Sequence, residues 1–136
     1  MFKSLFNTIL APTPDVIVST ELTFPAASNA GGGVVARLDS INDPKTYLLV
    51  WADRTYIYLE SFVNGTRTRI TTSAYTYSAG QKVELRVRGT EAVLYYNNVA
   101  ISTAQTVPAS AHTRHGYFSP HGGNTLGVLT VTAYPF

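Results

Sequence analysis

The most constraining feature of this sequence is a series of short strand-like runs, each closed by a turn signal, that extends from residue 34 to residue 102. The runs are rich in Val, Ile, Thr and Tyr, which favour β-strands, and they cover residues 34–38, 46–52, 55–63, 66–71, 82–88, 92–96 and 99–102. Turn formers such as Asn64-Gly65 and Asn97-Asn98 lie between them and tolerate the positive φ of tight hairpins. No useful stretch with a helical period interrupts the series. The sequence therefore predicts an all-β sandwich.

Length and composition fit one domain of this kind. The chain has 136 residues, enough for one continuous core, and no cysteine, so packing alone must hold the sandwich. The lack of cysteine favours a cytosolic or virion setting over a small secreted module. Only 13% of the residues are charged and the formal net charge is +2. These totals do not indicate a nucleic-acid partner, and no apolar stretch is long enough to span a bilayer.

The first ten residues have a different pattern. Large apolar side chains recur at helical spacing, at Phe2, Leu5, Phe6, Ile9 and Leu10. Polar residues among them, with Pro12 and Pro14 behind them, argue against a signal peptide. Because the prolines interrupt the chain, we expect residues 1–14 to form an apolar arm that docks on another subunit, and residues 15–136 to form the sandwich. The alternative is a strand that completes an edge of the sandwich.

Two segments alternate with a period of two, which assigns a buried face to each. In the first, the buried face carries Val16, Val18, Leu22 and Phe24. In the second, we expect Val83, Leu85 and Val87 to be buried and Lys82, Glu84, Arg86 and Arg88 to be largely exposed. Residues 102–115 lack a strong pattern and are expected to form a long connection before a last strand at residues 126–134.

The order of strands and turns resembles a known superfamily. The stretches GGGVVARLDSINDPKTYLLVW, YIYLESFVNGTRTRI, AGQKVELRVRGTEAVLYYNNVAIS, HGYF and LGVLTVTAY follow one another as in concanavalin A-like lectins and laminin-G-like domains. The resemblance spans about residues 15 to 134 and depends on turn chemistry, not on a signature motif. It implies a jelly-roll sandwich of two antiparallel sheets.

Catalysis is not indicated. Glycosidases need two carboxylates that flank the scissile bond, but the eight acidic residues are scattered singly along the sequence. The chain also lacks a Gly-x-Ser-x-Gly elbow and a phosphate-binding loop. We therefore expect a protein that is not an enzyme and needs no cofactor.

Two groups of residues could bind a metal ion, but neither is expected to. His112, His115 and His121 lie in one short stretch, yet their spacing matches no standard zinc pattern. Asp39, Asn42 and Asp43 are the only plausible start of a calcium site, and such residues beside Pro44 more often form simple turns.

An aromatic and basic face is the main candidate binding site. Tyr56, Tyr58 and Glu60 share one side of a strand, and Arg67 and Arg69 share one side of the next. If the hairpin closes at Asn64-Gly65, the tyrosines and arginines line one exposed sheet surface that could stack on sugar rings or anchor a protein. Tyr75 and Tyr77 could extend it, whereas Tyr47, Trp51, Tyr95 and Tyr117 are expected in the core or at its rim.

These observations favour a non-catalytic binding or structural module. One hypothesis is a virion protein, such as a phage capsid decoration, head fibre or tail component, that contacts other subunits through its N-terminal segment and forms homo-oligomers. The alternative is a carbohydrate-binding module of a secreted or cell-surface protein. The expected location is the virion in the first case and extracellular in the second.

Overall fold

The computed structural model describes residues 5–24, 31–119, 125–127 and 129–133. These residues form thirteen β-strands: β1 Leu5–Leu10, β2 Val16–Thr23, β3 Gly32–Leu38, β4 Tyr47–Ala52, β5 Tyr56–Val63, β6 Thr66–Ala74, β7 Gln81–Arg88, β8 Glu91–Tyr96, β9 Val99–Ala100, β10 Gln105–Thr106, β11 Arg114–Ser119, β12 Thr125–Leu126 and β13 Thr130–Ala133. Within this described part, no helix is long and apolar enough to cross a membrane.

The strands form two antiparallel sheets. The first has six strands in the order β1-β11-β3-β4-β5-β6, and the second follows the path β10-β8-β7-β2-β12, with β13 paired to β2 and β9 to β8. Asn64 and Gly65 have φ values of 50° and 84°, and Asn97 and Asn98 have 49° and 65°. These values fit the two-residue hairpin turns that match the twist of the strands. The predicted all-β sandwich is confirmed.

The core lies between the two sheets and is built from alternate residues of both. Val18, Leu85 and Leu94 are fully buried neighbours on β2, β7 and β8, and Val50 and Leu59 are fully buried on β4 and β5. A fully buried side chain of this size contributes about 1.5–3 kcal/mol to stability. All the residues predicted to be buried on β2 and β7, together with Phe24, are buried, so the predicted apolar faces of these strands are confirmed.

The prediction that the polar side of β7 is largely exposed holds fully only for Arg88 and is wrong for Glu84. Arg88 is exposed and Lys82 and Arg86 are half-buried, but Glu84 is only 4% exposed. Its carboxylate is paired with Lys82 at 3.4 Å and with Arg86 at 2.6 Å. The long side chains of these two cations cover Glu84, which a simple alternation of polar and apolar residues cannot reveal.

The N-terminal segment also differs from the main prediction. Leu5–Leu10 is a strand, not a helical or separate arm, and all six residues pair with β11 at the edge of the six-stranded sheet. This pairing confirms the alternative of an edge strand. The segment is favoured as a strand because pairing with β11 satisfies its backbone hydrogen-bonding groups. Phe2 lies outside the described residues, as do the side chains of Leu5 and Phe6. Ile9 and Leu10 are exposed, and their contact with another subunit stays a prediction.

The remaining boundaries are close to those expected. The connection at residues 102–115 contains the two-residue strand β10, and the last strand is divided into β12 and β13. β10 and β12 lie at the two ends of the path of the second sheet, and β13 pairs with β2.

Candidate functional site

The outer face of β4, β5 and β6 brings together the aromatic and basic residues. Cross-strand pairing arranges their side chains in three rows, which we call rungs. The first rung is Tyr47, Phe62 and Arg67, the second is Leu49, Glu60 and Arg69, and the third is Trp51, Tyr58 and Thr72. We call the surface formed by these rungs and the neighbouring Tyr56 the rung face.

The turn at Asn64-Gly65 sets the register of this surface. With a two-residue turn, Arg67 is paired with Phe62 and Arg69 with Glu60, so both arginines lie on the same side as the glutamate. The pairing shifts by one residue between Leu59 and Glu60, which is typical of a β-bulge.

Glu60 is the centre of the rung face. Its carboxylate is only 2% exposed, yet two cations and an indole contact it. Arg67 donates to Oε2 through Nε at 3.0 Å and Nη2 at 2.6 Å, and Arg69 donates through Nε at 3.0 Å. Trp51 donates from Nε1 to Oε1 at 3.0 Å. The buried charge is thus compensated by charge-assisted hydrogen bonds, as burial of a carboxylate requires.

Tyr58 lies between an indole and a guanidinium. Its ring centroid is 4.3 Å from that of Trp51 on β4 and 4.2 Å from the guanidinium carbon of Arg69 on β6. Because β4 and β6 flank β5 on opposite sides, both faces of the ring are covered. The hydroxyl donates to Asp53 Oδ2 at 3.0 Å. Burial raises the pKa of this hydroxyl, and the hydrogen bond to Asp53 raises it further.

Two glycines allow a close approach to Trp51 and to the backbone of β4. A Cβ atom at Gly31 would lie 2.7 Å from Cε3 of Trp51, and one at Gly33 would lie 1.9 Å from the carbonyl oxygen of Val50. Neither separation is possible for real atoms, so only glycine lets β3 approach β4 this closely. Gly31 therefore leaves room for the indole ring of Trp51, and Gly33 lets the backbones of β3 and β4 lie close together.

The first rung ends in a small cleft. Tyr47 and Phe62 stack with centroids 4.3 Å apart and an interplanar angle of 14°. Beside them, a cleft of about 80 Å³ is lined by both rings together with Pro108 and Ser110. An aromatic pair thus lies at each end of the rung face, with the charged cluster between them.

The four residues predicted from the sequence all lie on this surface. Arg67 and Arg69 pair with Glu60, and Tyr58 packs on Arg69. Tyr56 is 40% exposed, with its ring 6.1 Å from that of Tyr58. Their role as ligand contacts stays a prediction.

Sequence reasoning missed Trp51, Tyr47 and Phe62 as members of this face. The alternation Tyr47-x-Leu49-x-Trp51 in β4 contained the signal, because a short turn to β5 places Trp51 opposite Tyr58. Conversely, the suggested extension by Tyr75 and Tyr77 is wrong. Both side chains pack against the core cluster, and the Tyr75 hydroxyl donates to the carbonyl oxygen of Asp53.

The histidine stretch does not form a cluster in the described part of the chain. His115 is fully buried, whereas His112 is exposed, and His121 lies outside the described residues. Nδ1 of His115 accepts the backbone N–H of Arg37 at 3.1 Å, and Nε2 lies 3.1 Å from the carbonyl oxygen of Thr13. The ring is therefore neutral, with its proton on Nε2. Burial lowers the pKa of His115.

Arg37 ties several loops together beside that histidine. It is 1% exposed and has a φ of 57° at the irregularity between β3 and β11. Its guanidinium donates to the carbonyl oxygens of Pro14 and Gly89 and forms an ion pair with Asp15 at 3.0 Å. Burial lowers the pKa of Arg37, and Asp15 opposes this effect. This arrangement joins the start of β2 to the β7–β8 turn and has a structural role.

The acidic turn suggested for calcium is held by its own backbone. Asp39 Oδ1 accepts the amides of Ser40 at 2.9 Å and Lys45 at 3.1 Å. Burial acts to raise the pKa of Asp39, but these and other amide hydrogen bonds lower it. Among the residues that the structure describes, no group of three His, Cys, Asp or Glu side chains could hold a metal ion.

No protein-family profile and no curated protein matches this chain. Solved structures, however, resemble it over most of its length. The carbohydrate-binding module CBM66 from Bacillus subtilis has a TM-score of 0.74 at 13% identity, with 93% of this chain and 81% of that chain covered. Sheep galectin-11, in complex with glycerol, has a TM-score of 0.66 at 12% identity, with 97% and 99% covered. CG-16, a homodimeric agglutinin from chicken liver, has a TM-score of 0.67 at 12% identity, with 96% and 100% covered.

Similarity at this level of identity establishes the fold alone. The expected jelly roll of two antiparallel sheets is present, and its strands superpose on those of galectins and of a carbohydrate-binding module. The chain therefore has a concanavalin A-like, galectin-like β-sandwich fold.

Proposed function

We propose that this protein is a carbohydrate-binding module and that the rung face is its glycan-binding surface. The observation that carries the proposal is a row of half-buried aromatic rings, with the exposed Tyr56 beside it, next to two paired arginines on the outer face of a lectin-like sheet. Aromatic rings offer apolar contact to the C–H faces of sugars, and guanidinium groups donate to their oxygen atoms.

The residues of the face have different roles in this proposal. Tyr56 is the best stacking platform, because it is 40% exposed. Tyr58 is covered on both faces and contributes its edge and hydroxyl, while its main task is to hold Arg69 in place. Arg67 and Arg69 supply hydrogen-bond donors.

The carboxylates near the face support binding over catalysis. Glu60 Oε2 is occupied by the arginines and Oε1 by Trp51. Asp53 accepts the amides of Thr55 and Tyr56 at 2.7 Å each and the Tyr58 hydroxyl at 3.0 Å. A glycosidase needs one carboxylic acid that can give its proton to the leaving group and a second that attacks or activates water, and neither group is available for these steps.

Glycan binding can be tested by screening a multivalent form of the protein on a glycan array, since single sugar contacts are weak and several copies add avidity. Titration of the positive glycans is then followed by fluorescence, because Trp51 is the only tryptophan of the chain and lies in the proposed site. We expect Tyr56→Ala to weaken binding. Tyr95→Ala, which removes a tyrosine from the outer face of the second sheet, is the matched control and should bind as the wild type does.

Two results would contradict the proposal. One is the absence of binding to any glycan by the multivalent wild type. The other is equal binding by Tyr56→Ala and the wild type, which would place the contact elsewhere. Folding of each variant is checked by its Tm.

The hypothesis of a virion protein gains no support from the structures reported above, which favour the carbohydrate-binding alternative. Exposed Ile9 and Leu10 remain the feature that would serve contact with another subunit. This contact stays a prediction.

A further inference from the structure

Building on the proposed glycan-binding function, we infer that the glycan carries an anionic group, a carboxylate or a sulfate, and that this group binds between Arg67 and Arg69. This preference follows from the hydrogen-bonding groups that the centre of the rung face still offers to a ligand.

The acceptor at this centre is already used. Oε2 of Glu60 already accepts three N–H groups from the two arginines, which more than fills its two lone pairs, and Oε1 accepts the Trp51 indole N–H. The 2% exposure of Glu60 leaves no path for a sugar hydroxyl to reach it. A neutral sugar hydroxyl, which both donates and accepts, therefore finds no acceptor at this point.

The donors, by contrast, are only partly used. Each guanidinium has five N–H groups in a planar fork, and both arginines turn their Nε edge towards Glu60. The Nη1 groups of both remain for a ligand, and the side chains are 53% and 42% exposed. The two arginines therefore offer a ligand only hydrogen-bond donors, which suit a group that only accepts hydrogen bonds. Ionised oxygen atoms, as in a carboxylate or a sulfate, are the strongest acceptors of this kind.

The charge of the centre points the same way. Two arginines and one glutamate leave a net charge of +1 at the surface, next to low-dielectric aromatic rings. Glu60 holds both guanidiniums in position, so a bound anion does not need to order two flexible side chains.

The aromatic pairs define how a ligand would lie. The first and third rungs are four residues apart along a strand, which corresponds to about 14 Å at roughly 3.4 Å per residue. A saccharide of several units could place apolar ring faces at both ends and its anionic group at the second rung.

The test uses matched pairs of polysaccharides, so that the result does not depend on a variant. Polygalacturonate is compared with its carboxyl-reduced, neutral form, and a sulfated galactan with its desulfated form. Binding is measured by affinity electrophoresis and by Trp51 fluorescence at low salt. We expect at least one anionic polymer to bind about tenfold more tightly than its neutral partner, with a preference that falls as salt is added. The two pairs distinguish carboxylate from sulfate.

Variants then locate the preference. Arg67→Gln and Arg69→Gln should each reduce the ratio of anionic to neutral binding, and Arg67→Lys should restore it only in part, because an ammonium lacks the planar fork. Arg86→Gln removes an arginine that pairs with a buried glutamate on the other sheet and should leave the ratio unchanged. Only variants with a near-UV spectrum like that of the wild type are compared, and the polymer pairs decide the question if none folds.

The outcomes separate the two proposals. Equal binding of anionic and neutral polymers overturns the anionic preference and leaves the glycan-binding function standing. A preference that survives both Arg67→Gln and Arg69→Gln also overturns this inference, whatever the effect of Arg86→Gln. Binding of a single-stranded oligonucleotide as tight as that of the best glycan contradicts a glycan ligand. Failure of every polysaccharide and array glycan to bind contradicts the proposed function itself.

Discussion

The charge cluster on the rung face allows a test of how its ion pairs contribute to stability. The double arginine variant and the glutamate variant remove the same ion pairs, yet we expect different losses of stability. Replacing both arginines, as in Arg67→Gln/Arg69→Gln, leaves the buried Glu60 carboxylate with only the hydrogen bond from Trp51. Replacing the glutamate, as in Glu60→Gln, leaves two half-exposed arginines that water can solvate. The double variant should therefore be less stable than the Glu60→Gln variant.

The expected sizes follow from burial. Removing the partners of a buried charge costs about 3–5 kcal/mol, which we reduce to about 2–3 kcal/mol here because water can enter the space that the arginines leave. Glu60→Gln removes charge-assisted hydrogen bonds to exposed donors and should cost about 1 kcal/mol. In the triple variant Glu60→Gln/Arg67→Gln/Arg69→Gln, the unpaired charge is absent, so its stability should recover to about that of Glu60→Gln.

Urea denaturation at neutral pH, followed by Trp51 fluorescence and by circular dichroism, measures these differences. For a domain of this size, each kcal/mol corresponds to a Tm change of about 3–5 °C, so thermal melts give an independent check. A double variant as stable as Glu60→Gln, or a triple variant less stable than the double variant, would show that the unpaired Glu60 charge does not destabilise the fold.

Three further predictions concern the rest of the sandwich. His115 is neutral and buried and has a lowered pKa, so below pH about 6.5 the unfolded chain binds a proton that the folded chain does not. The contribution of His115 to stability should therefore be fully present above pH about 6.5 and fall as the pH drops below that value. Tm measured against pH should show this fall in His112→Gln but not in His115→Gln. Leu85→Ala should cost about 2–5 kcal/mol in chemical denaturation, since the side chain is fully buried, and a loss below about 1 kcal/mol would show that it is not core. Deleting residues 1–10 should lower the Tm, because six residues of β1 pair with β11. An unchanged Tm, together with a loss of self-association in analytical ultracentrifugation, would instead support the hypothesis that this segment docks on another subunit.

The fold was largely predictable because its determinants are local. Asn64-Gly65 and Asn97-Asn98 fix two hairpins through positive φ, and the alternation around Leu85 fixes which side of β7 is buried. The first strand was not predictable, because a short apolar segment such as LFNTIL is compatible with either a helix or a strand, and only its pairing with β11 decides between them.

The candidate site was predictable only in part. The hairpin register placed Arg67 and Arg69 beside the tyrosines, since it depends on one short turn. The burial of Glu60 was not predictable, because it depends on Trp51 from a third strand, and the indole of Trp51 has room only because residue 31 is a glycine. Side chains contributed by three strands and supported by a fourth cannot be assembled from the pattern of any one of them.

The two buried glutamates of the sandwich show why one face suits a ligand better than the other. Glu84 is held by Lys82 and Arg86, which lie two residues away on its own strand in the middle of the second sheet, and Arg86 lies 3.9 Å above the ring of Tyr95. Glu60 is held by arginines from β6, the edge strand of the first sheet. An edge strand has no neighbour on its outer side, so its long side chains can satisfy a buried carboxylate with one edge of the guanidinium and present the other to solvent. The same ion-pair chemistry thus mainly covers a buried charge on one sheet, while on the other it also creates a preorganised set of donors.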